Sequence, residues 1–138
     1  MGSVPDRSIA SIVSSWARQT EAILSEEIAF SARTLPRQEP ALGQLIVGSW
    51  LLADSSADVA ITNAGGIRTD LPAGKIDVGT LVSMMPFDNS IIALDLDGQT
   101  IRRALETGAR PIVGGLHRDG SNWILTRHNE PLNDGQIY

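Results

Sequence analysis

The stretch from Ala60 to Asn89, AITNAGGIRTDLPAGKIDVGTLVSMMPFDN, constrains this chain more than any other. It sets two loops rich in ligand-binding groups at opposite ends of one short supersecondary unit. The apolar run Val59 to Ile61 reads as a buried strand. The loop after it, Asn63-Ala64-Gly65-Gly66-Ile67-Arg68, is therefore expected at the carboxyl end of a sheet, where α/β proteins hold their ligands. Gly65 and Gly66 permit positive φ and close backbone approach, Asn63 brings an amide, and Arg68 brings a planar guanidinium fork. The second loop, Met85-Pro86-Phe87-Asp88-Asn89, offers an aromatic ring behind a proline, with Asn89 beside it. An Arg, an Asn and a presented Phe are the parts needed to hold a nucleoside phosphate. Each also has a plainer use, as a solvated arginine, a turn glycine or a core phenylalanine, and it is their combination that favours a ligand.

At 138 residues the chain suits one domain, and its 42% of hydrophobic residues suffice for a core without disulfides or metals. It has no cysteine, so composition says nothing of redox compartment. The net charge is −5, and the eleven Lys and Arg are dispersed along the chain. A surface for duplex nucleic acid needs a basic stripe, so no such partner is expected. No apolar run is long enough to span a bilayer, and no signal-peptide pattern opens the chain. Met1-Gly2-Ser3 reads as an appended start, which would leave any targeting segment outside this sequence.

Ile9, Ile12, Val13, Trp16, Ala17, Ile23 and Leu24 recur at helical spacing between Asp6 and Glu27, predicting an amphipathic helix with a polar opposite face. Ile28 to Leu35 alternates weakly as a strand, with Ile28, Phe30 and Ala32 on one side. Leu42, Leu45, Ile46, Ser49, Trp50 and Ala53 mark a second helix leading into the Val59 strand. Asp77 is positioned to cap a short helix from Val78 to Met85, which Pro86 ends. Ser90 to Leu96 reads as a strand, Asp97-Gly98 as a turn, and Gln99 to Ala109 as a helix with Ile101, Ala104 and Leu105 inward. Trp123 to Arg127 reads as a strand and Pro131 to Gly135 as a turn. Gln136 to Tyr138 then opens a returning strand, from which truncation at the C-terminus is expected.

Catalytic hardware is not legible. The two histidines, His117 and His128, belong to no ligand cluster, and no nucleophile elbow or triad pattern appears. No catalytic residue, metal ligand or cofactor is therefore assigned to this chain.

Taken together, the Asn63 to Arg68 loop, the Pro72-Ala73-Gly74 turn, the Pro86-Phe87-Asp88-Asn89 loop and the strand, turn and helix from Ile91 to Glu106 resemble the C-terminal, substrate-binding domain of the 5′-nucleotidase family. That family includes UDP-sugar hydrolases and 2′,3′-cyclic phosphodiesterases. The resemblance runs from about Leu42 to Glu106, and weakly to both ends. It implies an α+β fold with a mixed β-sheet flanked by helices. Residues 1–28 would form an inter-domain helix, and residues 29–138 an incomplete substrate-binding domain. It further implies that Asn63, Gly65, Gly66, Arg68, Phe87 and Asn89 meet a nucleotide, with Phe87 stacking on the base, and that Arg37 near Glu39 reaches the same ligand. A second stacking aromatic would lie beyond Tyr138. The divalent metal pair would belong to an N-terminal metallophosphoesterase domain, a partner carried on the same polypeptide with Asp-x-His and Gly-Asn-His-Glu motifs that do not occur here. A periplasmic, cell-surface or secreted location follows by the same resemblance. Two departures touch substrate identity: Gly43-Gln44-Leu45 stands where the family reads Gly-Asn-Leu, and Gly48 where it has Asp. The other readings are a stand-alone nucleoside- or nucleotide-binding module and a non-catalytic structural domain.

Overall fold

The computed structural model of the chain describes residues 6–107 and 111–138. Ala109, the expected end of the last helix, and Met1-Gly2-Ser3 lie outside the described residues. Helix α1 (Arg7–Leu24) is capped by Asp6, whose carboxylate accepts from the Ser8 amide at 2.8 Å. Its apolar stripe covers nothing: no residue of α1 is buried, and Ile9, Ile12, Val13, Trp16 and Ile23 are each about three-fifths exposed. The helix touches the rest of the fold near its last turn, where Gly79 sits against the Leu24 carbonyl.

Strand β1 (Glu27–Ser31) starts and ends earlier than its sequence pattern predicts. It buries neither side: Glu27 to Phe30 are all exposed, Phe30 by 72%, and the pairing with β3 shifts register between Glu27 and Ala29. Helix α2 (Pro40–Ala53) follows, with Pro at its first turn. Next come β2 (Ala60–Thr62), a 3₁₀ turn (Ala64–Gly66), β3 (Gly74–Asp77) and helix α3 (Val78–Met84). Helix α4 (Gly98–Glu106) then leads into β4 (Ile112–Gly114), β5 (Leu116–Asp119), β6 (Asn122–Leu125) and β7 (Glu130–Pro131).

The architecture is α+β, with helices flanking open sheet. The pairings described are antiparallel, four ladders in three small sheets: β1 with β3, β2 with β4, and the β5-β6-β7 meander. The expected mixed sheet is thus divided into pieces here.

Residues 90–95, expected as a strand, belong to no ladder among the described residues, and Ile91, Ile92 and Leu94 are 65%, 74% and 66% exposed. A strand exists only by pairing its amides and carbonyls. Here the pairing begins at Leu96, which exchanges both backbone hydrogen bonds with Tyr138 at 3.0 and 3.1 Å. The returning segment at Tyr138 therefore meets the chain just before α4. Asp97 and Gly98 are the cap and first residue of α4 rather than a separate turn, and Ala104 faces solvent while Ile101 and Leu105 face inward.

Two clusters of buried side chains hold these elements. The first joins Leu42 and Ile46 of α2 with Ile67, Leu71, Ile76 and Met84, and the second joins Ile101 and Leu105 of α4 with Leu116, Leu125 and Leu132. Helix α2 lies close on β4 because two glycines face each other's elements. A Cβ on Gly43 would come within 2.9 Å of Ile112, and one on Gly114 within 2.9 Å of Val47.

Leu42 is fully buried whereas Leu52 on the same helix is 87% exposed. Truncating Leu42 to Ala is expected to lower the unfolding free energy by about 2–5 kcal/mol. Leu52→Ala should change it by no more than about 0.5 kcal/mol. Urea unfolding of both variants against the parent chain measures the difference.

Candidate functional site

The first loop turns tightly after β2: the Gly66 amide donates to the Asn63 carbonyl at 3.2 Å and the Ile67 amide to that of Ala64 at 3.1 Å. Gly65 and Gly66 do not use the positive φ open to glycine. What they contribute is the missing side chain. The Asn63 amide group folds back over the turn, where a Cβ on Gly65 would lie 3.2 Å from its nitrogen. Gly66 is buried and forms part of the wall of a small cavity.

The second loop is delivered by α3. Asp77 caps that helix, accepting from both the amide and the hydroxyl of Thr80 at 2.7 Å. These hydrogen bonds, the Thr80 hydroxyl first and its amide second, hold the Asp77 carboxyl below its usual range. At the other end, Pro86 halts the helix and Phe87 follows, 54% exposed. Asp88 takes a positive φ of 49°.

A single backbone bond joins the two loops: the Arg68 amide donates to the Met84 carbonyl at 2.8 Å. Above it the Arg68 guanidinium lies over the Phe87 ring, 5.5 Å from its centre, within reach of a cation–π attraction. A second bond, from the Arg68 guanidinium to the Gly65 carbonyl at 3.1 Å, steadies the arginine. Arg37 arrives from the segment before α2. Its amide donates to Asp70 at 2.8 Å, and its guanidinium reaches toward the Arg68 carbonyl at 3.4 Å.

The cavity beside these groups measures about 230 Å³ and is lined by Gly66, Met85, Phe87, Asp88 and Asn89. It is smaller than the roughly 300–1,000 Å³ of a complete small-molecule site, so it suits part of a ligand. A larger open groove of about 490 Å³ runs between α1 and α3, past Thr20, Glu21, Asp77 and Ser83. None of the residues lining that groove is aromatic or basic, so the smaller cavity is the better candidate.

Of the residues singled out from sequence, Gly66, Phe87 and Asn89 thus share one cavity, and Arg68 stands on the Phe87 ring. Asn63, Gly65 and Arg37 do not line it; they shape or flank the loop that carries Arg68. Sequence reasoning passed over Met85 and Asp88 as site residues. Their only signal was adjacency to Phe87 and Asn89 in the same loop. His117 and His128 are both exposed, and the described residues contain no group of three or more His, Cys, Asp or Glu able to hold a metal.

The sequence model of the 5′-nucleotidase C-terminal domain matches residues 17–137. The chain belongs to this family. Among curated proteins, the trifunctional nucleotide phosphoesterase YfkN of Bacillus subtilis is 36% identical over 81 residues, which are 56% of this chain and 6% of that protein. The endonuclease YhcR of the same organism is 30% identical over 115 residues, 80% of this chain and 9% of that one. A 5′-nucleotidase of Vibrio parahaemolyticus is 31% identical over 69% of this chain and 17% of its own length. The chain thus spans less than a fifth of each of these relatives. In three dimensions, the 5′-nucleotidase precursor of Thermus thermophilus superposes with a TM-score of 0.75 at 27% identity, covering 98% of this chain and 33% of that one. Within this 5′-nucleotidase C-terminal domain, the Gln44 amide donates to the Val113 carbonyl of β4 at 2.9 Å, which ties α2 to β4.

The depressed Asp77 carboxyl gives a pH dependence with a definite sign. A carboxyl held below its unfolded value contributes stability that is fully present above the ordinary carboxylate range. That contribution is lost as pH falls through the lowered folded value. Asp77→Ala is expected to lower the melting temperature at neutral pH and to flatten the acid limb of the melting curve. Thermal unfolding of both proteins between neutral pH and strongly acid pH tests this, and unchanged acid behaviour in the variant would contradict it.

Proposed function

We propose that this domain recognises the nucleotide for a 5′-nucleotidase-like metallophosphoesterase whose metal pair is held by another domain of the same polypeptide. The observation that carries the reading is the Arg68 guanidinium over the Phe87 ring, with Arg37 beside it and a base-sized cavity alongside. An aromatic ring has two faces. Arg68 takes one, which leaves the other for a nucleobase, where stacking is worth roughly 1–3 kcal/mol. Arg68 and Arg37 would meet phosphate or ribose oxygens, to which charge-assisted hydrogen bonds are about twice as strong as neutral ones. Asn63, Gly65 and Gly66 shape the turn, and Asn89 reads the base edge.

The metal pair would activate water and stabilise the leaving oxygen. The described residues of this chain include no donor set that fits it, so no step of the hydrolysis is assigned here. The role of the domain is binding and orientation. Helix α1 suits a neighbouring domain as its partner, since its apolar stripe from Ile9 to Ile23 is uncovered. On this reading residues 1–28 link the two domains, residues 29–138 bind the substrate, and the parent protein works in an exported compartment, as the family resemblance implies.

The isolated chain is expected to show no turnover of adenosine monophosphate with added manganese or zinc. Chemical-shift titration with the same nucleotide should give millimolar binding centred on Arg68 and Phe87. Phe87→Ala should weaken that binding by about one to two decades. Metal-dependent turnover that survives repurification and disappears in Arg68→Ala would sink the two-domain reading. Micromolar binding indifferent to Phe87→Ala would place the ligand elsewhere and favour a stand-alone binding module.

A further inference from the structure

We propose that Asp88 selects the base, and that the base it selects is guanine; the inference rests on the nucleotide reading above. Asp88 lies between Phe87 and Asn89, is exposed to solvent and lines the same cavity. Its φ of 49° is one that glycine adopts freely and other residues uncommonly. Aspartate often tolerates this conformation by bonding its side chain to nearby backbone. Among the described residues, however, no hydrogen bond or ion pair engages the Asp88 carboxylate, although Asp6, Asp54, Asp77 and Asp97 each accept from a backbone amide two or three residues on. A position suited to glycine thus holds an uncommitted anionic acceptor next to Phe87 in the chain, on the wall of the cavity that both line.

An ionised carboxylate only accepts hydrogen bonds, and it accepts two in parallel from a pair of neighbouring donors. Guanine presents such a pair on its Watson–Crick edge, N1–H beside the N2 amino group. Its O6, next along that edge, needs a donor, which the Asn89 amide supplies. Adenine offers one exocyclic amine flanked by an acceptor. Uracil offers one N–H between two carbonyls that the carboxylate would repel. Bases held against an aromatic ring are read along this edge by such bonds, and a bidentate match discriminates by about five- to a hundredfold.

The experiment is a chemical-shift titration of the 138-residue chain with guanosine, adenosine and uridine monophosphates and with inorganic phosphate. It is repeated on Asp88→Gly, which keeps the backbone conformation, and on Asp88→Asn. Guanosine monophosphate should bind at least about fivefold more tightly than the other two nucleotides. Both variants should erase that preference while shifts at Arg68 and Phe87 persist, and Asp88→Gly should melt no lower than the parent. Equal affinities in the parent chain, or a preference that survives Asp88→Gly, would overturn the assignment of guanine and leave the nucleotide site standing. If no nucleotide perturbs Arg68 and Phe87 beyond what phosphate does, both readings fall together.

Discussion

The hydrogen bond from the Arg68 amide to the Met84 carbonyl, 2.8 Å long, is the constraint on which the candidate site depends. It ties the end of the loop after β2 to the end of α3, so that Arg68 and Phe87, far apart along β3 and α3, stand on one another. The groups next to this bond in the chain are anchored too. Ile67 precedes Arg68 and Met84 lies three residues before Phe87, and both are buried in the same cluster as Leu42 and Ile46 of α2. The two exposed, charged or aromatic side chains are thus held by apolar neighbours within a residue or three. Burial beneath a site fixes position in a way that surface contacts do not, because a packed core has few alternative arrangements.

The second cluster does a different task. Arg102 of α4 pairs with Asp134 at 2.9 Å and donates to the Leu132 carbonyl at 3.0 Å, while the Asn133 amide donates to the Tyr138 hydroxyl at 2.9 Å. Arg127, just past β6, bonds the Ser55 carbonyl at 2.7 Å and so ties the meander to the segment before β2. These partly exposed ion pairs contribute little energy singly. The arginine contacts have a larger geometric effect, since those of Arg102 span about thirty residues and that of Arg127 spans 72 and brings the late part of the chain onto the early part.

Much of this was legible in the sequence where local signals were strong. Asp77 before a short apolar run and Pro86 after it bracketed α3 closely, since a cap and a helix stop act within a few residues. The periodicity of α1 and α2 gave those helices, and the loops after β2 and α3 were placed by the strand and helix that deliver them. What failed was pairing. Ser90 to Leu96 has the composition of a strand but finds a partner only at Leu96. β3, β4, β5 and β7 were passed over because they are two to four residues long and take their structure from the ladders. The exposure of β1 was hidden for the same reason, since its irregular pairing with β3 is not written in its own alternation. At the site, the sequence singled out Arg68 and Phe87, which the fold sets against one another. It could not tell that Asn63 would fold back on its own turn, because that depends on tertiary geometry.

The run Ile91-Ile92-Ala93-Leu94 carries one further consequence. Exposed apolar residues with strand composition and no ladder partner are a template on which other chains can add. Here the run is flanked by Asp88 on one side and by Asp95 and Asp97 on the other. Charges at both ends of such a segment act as gatekeepers, because stacking copies in register would bring like carboxylates together. With a net charge of −5 for the whole chain, that repulsion adds to a general one between copies, and salt screens both. High ionic strength is therefore the condition in which this segment is least protected against fibrillar self-assembly.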